Sequence, residues 1–272
     1  MPDTHVRADE NPELLLLAAI GRQRIGKTAL LNALVQHCRG LGGEMVVLNA
    51  DQQNSTHSLS TFFPDAKVPP PGSLMDNRAW IEAELVAMVQ GRHHAVLDAG
   101  GGWTGFSSLV EDVPLHESLQ ASRVKLIGLV CVGTEQADLD YLERNLDNGT
   151  FHPERTVIVL NAGLITSGRS ASGAFLAVSK TPAVREATLR GARVIVMPAL
   201  GCMSEVTDRG ITFAEASEGR VRPGQAPMSL FDPARVRDWW TKKMPTFFEQ
   251  FPPDWLPIDP AVRVSTAGAG AR

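Results

Sequence analysis

Apolar and polar residues follow one another along this chain in blocks that are typical of alternating strands and helices. The run Leu14 to Ile20 is apolar throughout, as a strand buried on both faces requires. Thr28 to Cys38 follows with apolar residues at helical spacing, and Met45 to Leu48 is a second apolar run. The chain therefore begins with a predicted strand, helix and strand.

The same rhythm continues to about residue 200. Further strands are predicted at Ala95 to Leu97, Val124 to Val132, Thr156 to Leu160 and Val194 to Met197. Further helices are predicted at Asn77 to Gln90, Glu135 to Leu146 and Pro182 to Leu189. This alternation predicts an α/β fold in three layers, with a mostly parallel central sheet and helices on both faces. Ligands of such sheets bind beyond the carboxyl ends of the strands.

The pattern also predicts how the chain is divided. With 272 residues and 43% apolar side chains, it can bury the core of one large α/β domain, which we place at residues 13–220. Residues 1–12 are expected to be a flexible N-terminus, 221–256 a helical C-terminal extension and 257–272 a disordered tail of small residues.

Charge and cysteine content exclude some classes of protein. The formal net charge of −4 gives no overall attraction to nucleic acid or to anionic membranes. The three cysteines are far apart and lack C-x-x-C spacing, so we expect buried, reduced thiols rather than disulfides or a zinc site. The apolar run at the N-terminus is too short to span a bilayer. The sequence predicts a cytoplasmic protein.

One motif narrows the function. The eight residues between the first strand and first helix form a complete G-x-x-x-x-G-K-T phosphate loop, and a strand-before, helix-after placement argues against an ordinary glycine turn. In such a loop backbone N–H groups bind phosphates, the lysine reaches the terminal phosphates and the last hydroxyl serves Mg²⁺. The candidate nucleotide-binding residues are Gly21, Arg22, Gln23, Arg24, Ile25, Gly26, Lys27 and Thr28.

Three polar residues at predicted strand ends extend this site. Asp51 follows the second strand, Asp98 precedes three glycines, and Asn161 ends the strand that begins at Thr156. Carboxylates near a phosphate loop suit Mg²⁺, so the candidate metal ligands are Thr28, Asp51 and Asp98. Each residue also has a plainer interpretation, because aspartate often caps a turn and Asn-Ala-Gly is a common turn sequence.

The ordered set of phosphate loop, Asp51 loop and Asp98-Ala-Gly-Gly-Gly resembles the ParA/MinD family of Walker-type ATPases, over about residues 12–220. The resemblance implies that ATP and Mg²⁺ are bound. It implies that Asp51 lies near the attacking water, that Asp98 holds Mg²⁺ through water, and that Asn161 reads the adenine. It also implies that Met197-Pro198 with Glu205 closes the base pocket.

The chain departs from this family inside the loop. Members usually carry a lysine directly after the first glycine, which reaches a partner subunit's phosphates; here that position is Arg22, followed by Gln23 and Arg24. Arg22 would bind phosphate through its planar, bidentate guanidinium group, as an arginine finger does. The alternative is that Arg22 is a solvated loop residue. The candidate catalytic residues are therefore Lys27, Asp51 and Arg22.

The segment from Asp232 to Phe251 carries both basic and aromatic residues. As a helix it would contact DNA phosphates, lie on a membrane surface, or pack its aromatic side on the domain. The last alternative is favoured because acidic residues dilute the charge, and membrane contact is not favoured. Pro245 is expected to break or kink the helix.

Three functions remain open at this point. The first is a nucleotide-switch ATPase that couples slow hydrolysis to homodimerisation, or to binding of non-specific DNA or a DNA-bound adaptor, in plasmid or chromosome partition, positioning or conjugative transfer. The second is a metabolic ligase similar to dethiobiotin synthetase, or a small-molecule kinase, whose substrate pocket includes Pro64 to Gly72. The third is a non-hydrolysing, nucleotide-gated adaptor. The sequence lacks an N-K-x-D guanine motif, which favours ATP over GTP.

Overall fold

The central sheet has six strands, all parallel, in the order β2-β3-β1-β4-β5-β6. The computed structural model describes residues 12–51, 58–100, 104–147, 151–165 and 168–259. The strands are β1 Leu14–Ile20, β2 Met45–Asn49, β3 His94–Asp98, β4 Val124–Val132, β5 Thr156–Asn161 and β6 Arg193–Met197. The predicted parallel sheet is confirmed.

Helices of very different lengths connect these strands, and four more follow the last strand in the described part of the chain. In chain order the α-helices are α1 Lys27–Gly40, α2 Leu59–Phe62, α3 Leu74–Gly91, α4 Thr104–Asp112, α5 Leu115–Ala121, α6 Gln136–Asp147, α7 Ala171–Ala174, α8 Leu176–Lys180, α9 Pro182–Leu189, α10 Met203–Arg209, α11 Phe213–Ser217, α12 Asp232–Asp238 and α13 Met244–Phe248. A π-helical segment covers Trp239–Lys243, and 3₁₀ turns cover Pro153–Arg155, Ala162–Leu164 and Pro253–Trp255.

Strand β1 divides the core into two layers. Every residue of the strand is buried, and successive side chains point to opposite faces of the sheet. Leu15 and Leu17 belong to one hydrophobic cluster, whereas Leu14 and Leu16 belong to the other. Helices cover both clusters, so the molecule has the three layers that the sequence predicts.

The C-terminal helical segment is continuous from Asp232 to Phe248. Of the expected break or kink at Pro245, the break does not occur. The α-helical geometry is nevertheless interrupted just before the proline, by the π-helical turn Trp239–Lys243, and Pro245 lies in the first turn of α13, where its missing N–H has no partner to lose.

The aromatic side of this segment is part of the domain core. Trp239 and Phe247 are each 1% exposed, and the indole Nε1 of Trp239 donates to the Pro198 carbonyl at 2.8 Å. The neighbouring lysines, Lys242 and Lys243, both form ion pairs with Asp238. The favoured interpretation of the sequence, aromatic packing on the domain, is therefore what the structure shows.

The cysteines also behave as the sequence predicts. Cys38, Cys131 and Cys202 are buried thiols that form no disulfide bond. In the portion of the chain that the structure describes, every helix is too short or too polar to cross a bilayer. Residues 1–11 of the expected N-terminal segment and 260–272 of the expected tail lie outside the described residues. At the start of that tail, Pro257 is buried and Ile258 packs against the core.

Docking of the C-terminal segment generates a pH-dependent prediction. The His37 ring of α1 stacks on Phe248, with ring centroids 4.2 Å apart and an interplanar angle of 18°. Burial lowers the pKa of His37 from 6.5 to about 4. Because the folded state then disfavours the charged ring, this contribution to stability is complete above pH 6.5 and is lost as the pH falls toward 4.

We therefore expect His37→Phe, which keeps a stacked ring, to remove part of the acid sensitivity of the fold. Between pH 7 and pH 4 the wild type should lose on the order of 1–2 kcal/mol more unfolding free energy than the variant, after allowance for the partial exposure of the ring. Urea unfolding at a series of pH values measures this difference. Parallel pH curves for the two proteins would contradict it.

Candidate nucleotide-binding site

Residues 21–28, hereafter the phosphate loop, connect the end of β1 to the start of α1. The backbone of Gly26 has φ of 98°, and a Cβ there would lie 2.4 Å from Asn161 Nδ2. A Cβ on Gly21 would lie 2.8 Å from the Cys131 carbonyl oxygen. These two positions accept only glycine, because the loop packs closely on the ends of β4 and β5.

The lysine of the motif is turned onto the loop itself. Lys27 is buried, and its Nζ donates to the carbonyl oxygens of Gly21, at 3.2 Å, and of Arg22, at 2.9 Å. Two backbone carbonyl groups of the loop therefore hold the desolvated ammonium group of Lys27 in place. An anion placed there would meet a cation that is already positioned.

Strand pairing brings Asp98 to the same place. Ala19 of β1 is in register with Asp98, the last residue of β3. The Thr28 hydroxyl donates to Asp98 Oδ2 at 2.8 Å, and the Gly100 N–H donates to the other carboxylate oxygen at 3.2 Å. The predicted neighbourhood of Thr28 and Asp98 is therefore present in the structure.

Burial dominates the electrostatics of Asp98. The side chain is fully buried, and desolvation raises its pKa, while the Thr28 and Gly100 hydrogen bonds and the Lys27 charge act in the opposite direction. A buried carboxylate that gains a nearby cation recovers the interactions it lost on leaving water. Asp98 is thus a carboxylate that favours a bound cation.

Asp51 lies beside Asp98, as the sequence predicts. The Ala50 N–H donates to the Asp98 backbone carbonyl at 2.9 Å, which fixes the end of β2 against β3. A Cβ on Gly100 would lie 3.1 Å from Asp51 Oδ1, so the loops after β2 and β3 touch. Residues 52–57 and 101–103 of these loops lie outside the described residues.

These oxygen groups fit Mg²⁺. Magnesium in proteins is usually held by one or two carboxylates, a hydroxyl and the phosphates of a substrate. Thr28, Asp51 and Asp98 supply hydroxyl and carboxylate oxygens at one end of the sheet, next to the glycine backbone of the phosphate loop, where phosphates would bind. Their individual roles toward a metal stay predictions.

Arg22 points away from the cradle and toward helix α6. Its Nη1 atom lies 2.8 Å from Asp138 Oδ1 and 2.9 Å from Glu135 Oε2. The Asp138 side chain is only 4% exposed, whereas that of Glu135 is 72% exposed, and Asp138 Oδ2 also accepts the Glu135 N–H at 3.2 Å. Arg22 is thus held by carboxylates of its own chain, and its catalytic role stays a prediction.

Asn161 supports the other side of the loop. Its Nδ2 donates to the Ile25 carbonyl at 2.9 Å, and its Oδ1 accepts the Gly163 N–H at 2.9 Å. Both polar ends of the amide are therefore engaged in holding the loop and the turn after β5. Contact of Asn161 with adenine stays a prediction.

The remaining predicted residues are placed as follows. Gln23 and Arg24 are exposed, and Ile25 is buried. Pro198 contributes its carbonyl to the Trp239 indole, and Glu205 forms an ion pair with Arg209 one helical turn away, at 2.9 Å.

Sequence reasoning missed the acidic pair Glu135 and Asp138. The predicted helix there starts at Glu135, and the only available signal was two acidic residues at its first turn, which favours a helix N-terminus rather than a partner for Arg22. The contact spans more than a hundred residues and depends on β4 pairing beside β1.

No protein-family model matches the chain, and no curated protein matches it. Similar solved structures include the signal recognition particle receptor FtsY from Elizabethkingia anophelis in complex with GDP, at 11% identity and a TM-score of 0.46. That match covers 88% of this chain and 66% of the receptor chain. An ATP complex of McdA from Cyanothece is 12% identical at a TM-score of 0.47, covering 75% of this chain and 91% of that one.

FtsY from Mycoplasma mycoides is 13% identical at a TM-score of 0.47, with 85% of this chain and 70% of that chain covered. At such identities and TM-scores, function has to be argued from the residues of this chain.

The Arg22 contacts generate a stability prediction. Arg22→Met leaves the Asp138 carboxylate, whose side chain is 4% exposed, without its cation, and should lower the unfolding free energy measurably. The matched control, Glu135→Gln, removes only the exposed ion pair and should cost less than about 1 kcal/mol. Urea unfolding midpoints measure both values. Equal losses in the two variants would show that Asp138 does not anchor Arg22.

Proposed function

We propose that this chain is a nucleotide-switch ATPase similar to the ParA/MinD family. It binds ATP with Mg²⁺ at the phosphate loop, and slow hydrolysis returns it to its starting state. The observation that carries the proposal is the 2.8 Å hydrogen bond from the Thr28 hydroxyl to the buried Asp98 carboxylate, directly beside the positioned ammonium group of Lys27.

Each residue of this group has a chemical task in the proposal. Lys27 neutralises charge on the terminal phosphates, and the N–H groups of residues 21–28 bind the remaining phosphate oxygens at the α1 N-terminus. Asp51 orients the attacking water. When bound, Mg²⁺ would supply charge neutralisation at the phosphate oxygens, held by Thr28 and Asp98.

The partners are also part of the proposal. The nucleotide state governs formation of a homodimer and binding of non-specific DNA or a DNA-bound adaptor, in the cytoplasm, for partition, positioning or conjugative transfer of DNA. The basic residues of the C-terminal segment do not support DNA binding at that segment, because Lys242 and Lys243 pair with Asp238. A surface formed only after dimerisation suits a nucleotide-gated contact better.

We expect Lys27→Ala to weaken MgATP binding by at least about tenfold, because it removes a charge-assisted contact to phosphate. Isothermal titration calorimetry measures the affinity, and light scattering with and without MgATP measures the oligomeric state. The control is Lys125→Ala, which removes an ammonium group paired with Glu13 and Asp254. Lys125 pairs with Leu15 at the start of β1, whereas the phosphate loop follows the end of that strand. Unchanged affinity and oligomeric state in Lys27→Ala would refute the proposal.

Measurement of phosphate release then distinguishes the three candidate functions. We expect release from MgATP to be slow in the purified protein and faster with double-stranded DNA. ADP formation that requires a small-molecule acceptor would indicate a different enzyme: a ligase if phosphate is released, or a kinase if the phosphoryl group is recovered on the acceptor. Binding without release would indicate a non-hydrolysing adaptor.

A further inference from the structure

The two arginines of the phosphate loop differ in their contacts with the rest of the chain. The Arg22 guanidinium is held by Glu135 and Asp138. Arg24 is exposed and makes no hydrogen bond or ion pair within the ranges that the structure describes. Lys27 directs two of its three N–H donors to loop carbonyls, so Arg24 is the cation of the loop with all of its donors open to a ligand.

The backbone at Arg24 is also unusual. Its φ of 60° lies in the left-handed region, which glycine adopts freely and which a side chain with a Cβ adopts at a cost. A glycine at this position would therefore suit the local conformation better than arginine does. The folded structure of the loop alone gives no reason for a long cationic side chain here.

A free guanidinium beside a phosphate cradle has a specific chemistry. Its N–H donors form a planar fork that matches two oxygens of one phosphate group, and its charge is permanent. The cradle itself binds phosphates through backbone N–H groups, so a side chain at the exposed tip of the loop adds contacts to the outermost phosphate.

We propose that Arg24, rather than Arg22, is the arginine that binds the terminal phosphate of a nucleoside triphosphate. The inference rests on the proposed function, and it assigns Arg22 to holding the loop against α6. The phosphate belongs either to the nucleotide in the same loop or to the nucleotide of a second copy of the chain.

Arg24→Asn tests this directly, because asparagine tolerates the left-handed conformation and carries no charge. We expect ATP affinity, measured with Mg²⁺ and a fluorescent ATP analogue, to fall by about tenfold or more, the loss of one charge-assisted contact. Affinity for the matching ADP analogue should change by less than about twofold. Arg24→Lys, which keeps the charge, should recover part of the ATP affinity.

Thermal unfolding of Arg24→Asn without nucleotide shows whether a loss of ATP affinity comes from a loss of stability. Arg24→Asn should unfold at the wild-type temperature or slightly above it, since it relieves the backbone cost at this position. Wild-type ATP affinity in Arg24→Asn would overturn the inference while leaving the proposed function intact. A wild-type chain that binds neither nucleotide would overturn both.

A dilution experiment distinguishes the two sources of phosphate. ATP affinity of the wild type and of Arg24→Asn is measured at protein concentrations above and below the one at which the wild type dimerises with MgATP. If the difference between the two proteins disappears on dilution, the contact is made across two copies. If the difference persists at every concentration, Arg24 binds the phosphate held by its own loop. Either result supports the assignment to a terminal phosphate.

Discussion

Parallel pairing on both sides of β1 is the constraint on which the site depends. Strand β1 is buried on both faces and lies between β3 and β4, so its register fixes where three strand ends meet. The pairing of Ala19 with Asp98 carries the carboxylate to the start of the loop. A shift by one residue would turn every side chain of β1 to the other core and move Asp98 away from Thr28.

The second feature of the site is how it distributes charge. Three charged groups at the site have different kinds of partner: Asp98 accepts from a hydroxyl and an amide, Lys27 donates to carbonyls, and Arg22 pairs with carboxylates. Desolvated charges with such partners are held in place before any ligand arrives, which reduces the reorganisation that binding requires. Arg24 differs from all of them because it remains exposed.

The sequence predicts the local part of this arrangement well and the long-range part poorly. The apolar run of β1 and the spacing of the loop glycines are signals that neighbouring residues carry, and the structure has the strand and the loop where these signals predict them. The contacts Asn161 to Ile25 and Arg22 to Asp138 join residues more than a hundred positions apart, and they depend on strand order, which no local pattern encodes. The predicted helices lack α4 and α5, which are 9 and 7 residues long, too short for a strong local signal although their apolar residues do stand at helical spacing.

The C-terminal segment illustrates the same division. Its aromatic and basic residues predict an amphipathic helix, but propensity alone predicts a break or kink at Pro245. The buried packing of Trp239 and Phe247 keeps the segment helical through the proline, while the α-helical geometry is interrupted at the π-helical turn Trp239–Lys243. Tertiary packing therefore outweighs the local signal for a break.

A crystal structure with Mg²⁺ and a non-hydrolysable ATP analogue would test whether the phosphate loop binds MgATP. Binding there predicts triphosphate density over the N–H groups of residues 21–28, with Mg²⁺ beside Thr28 and Asp98. Density elsewhere on the molecule, or a loop that stays empty at saturating nucleotide, would contradict it.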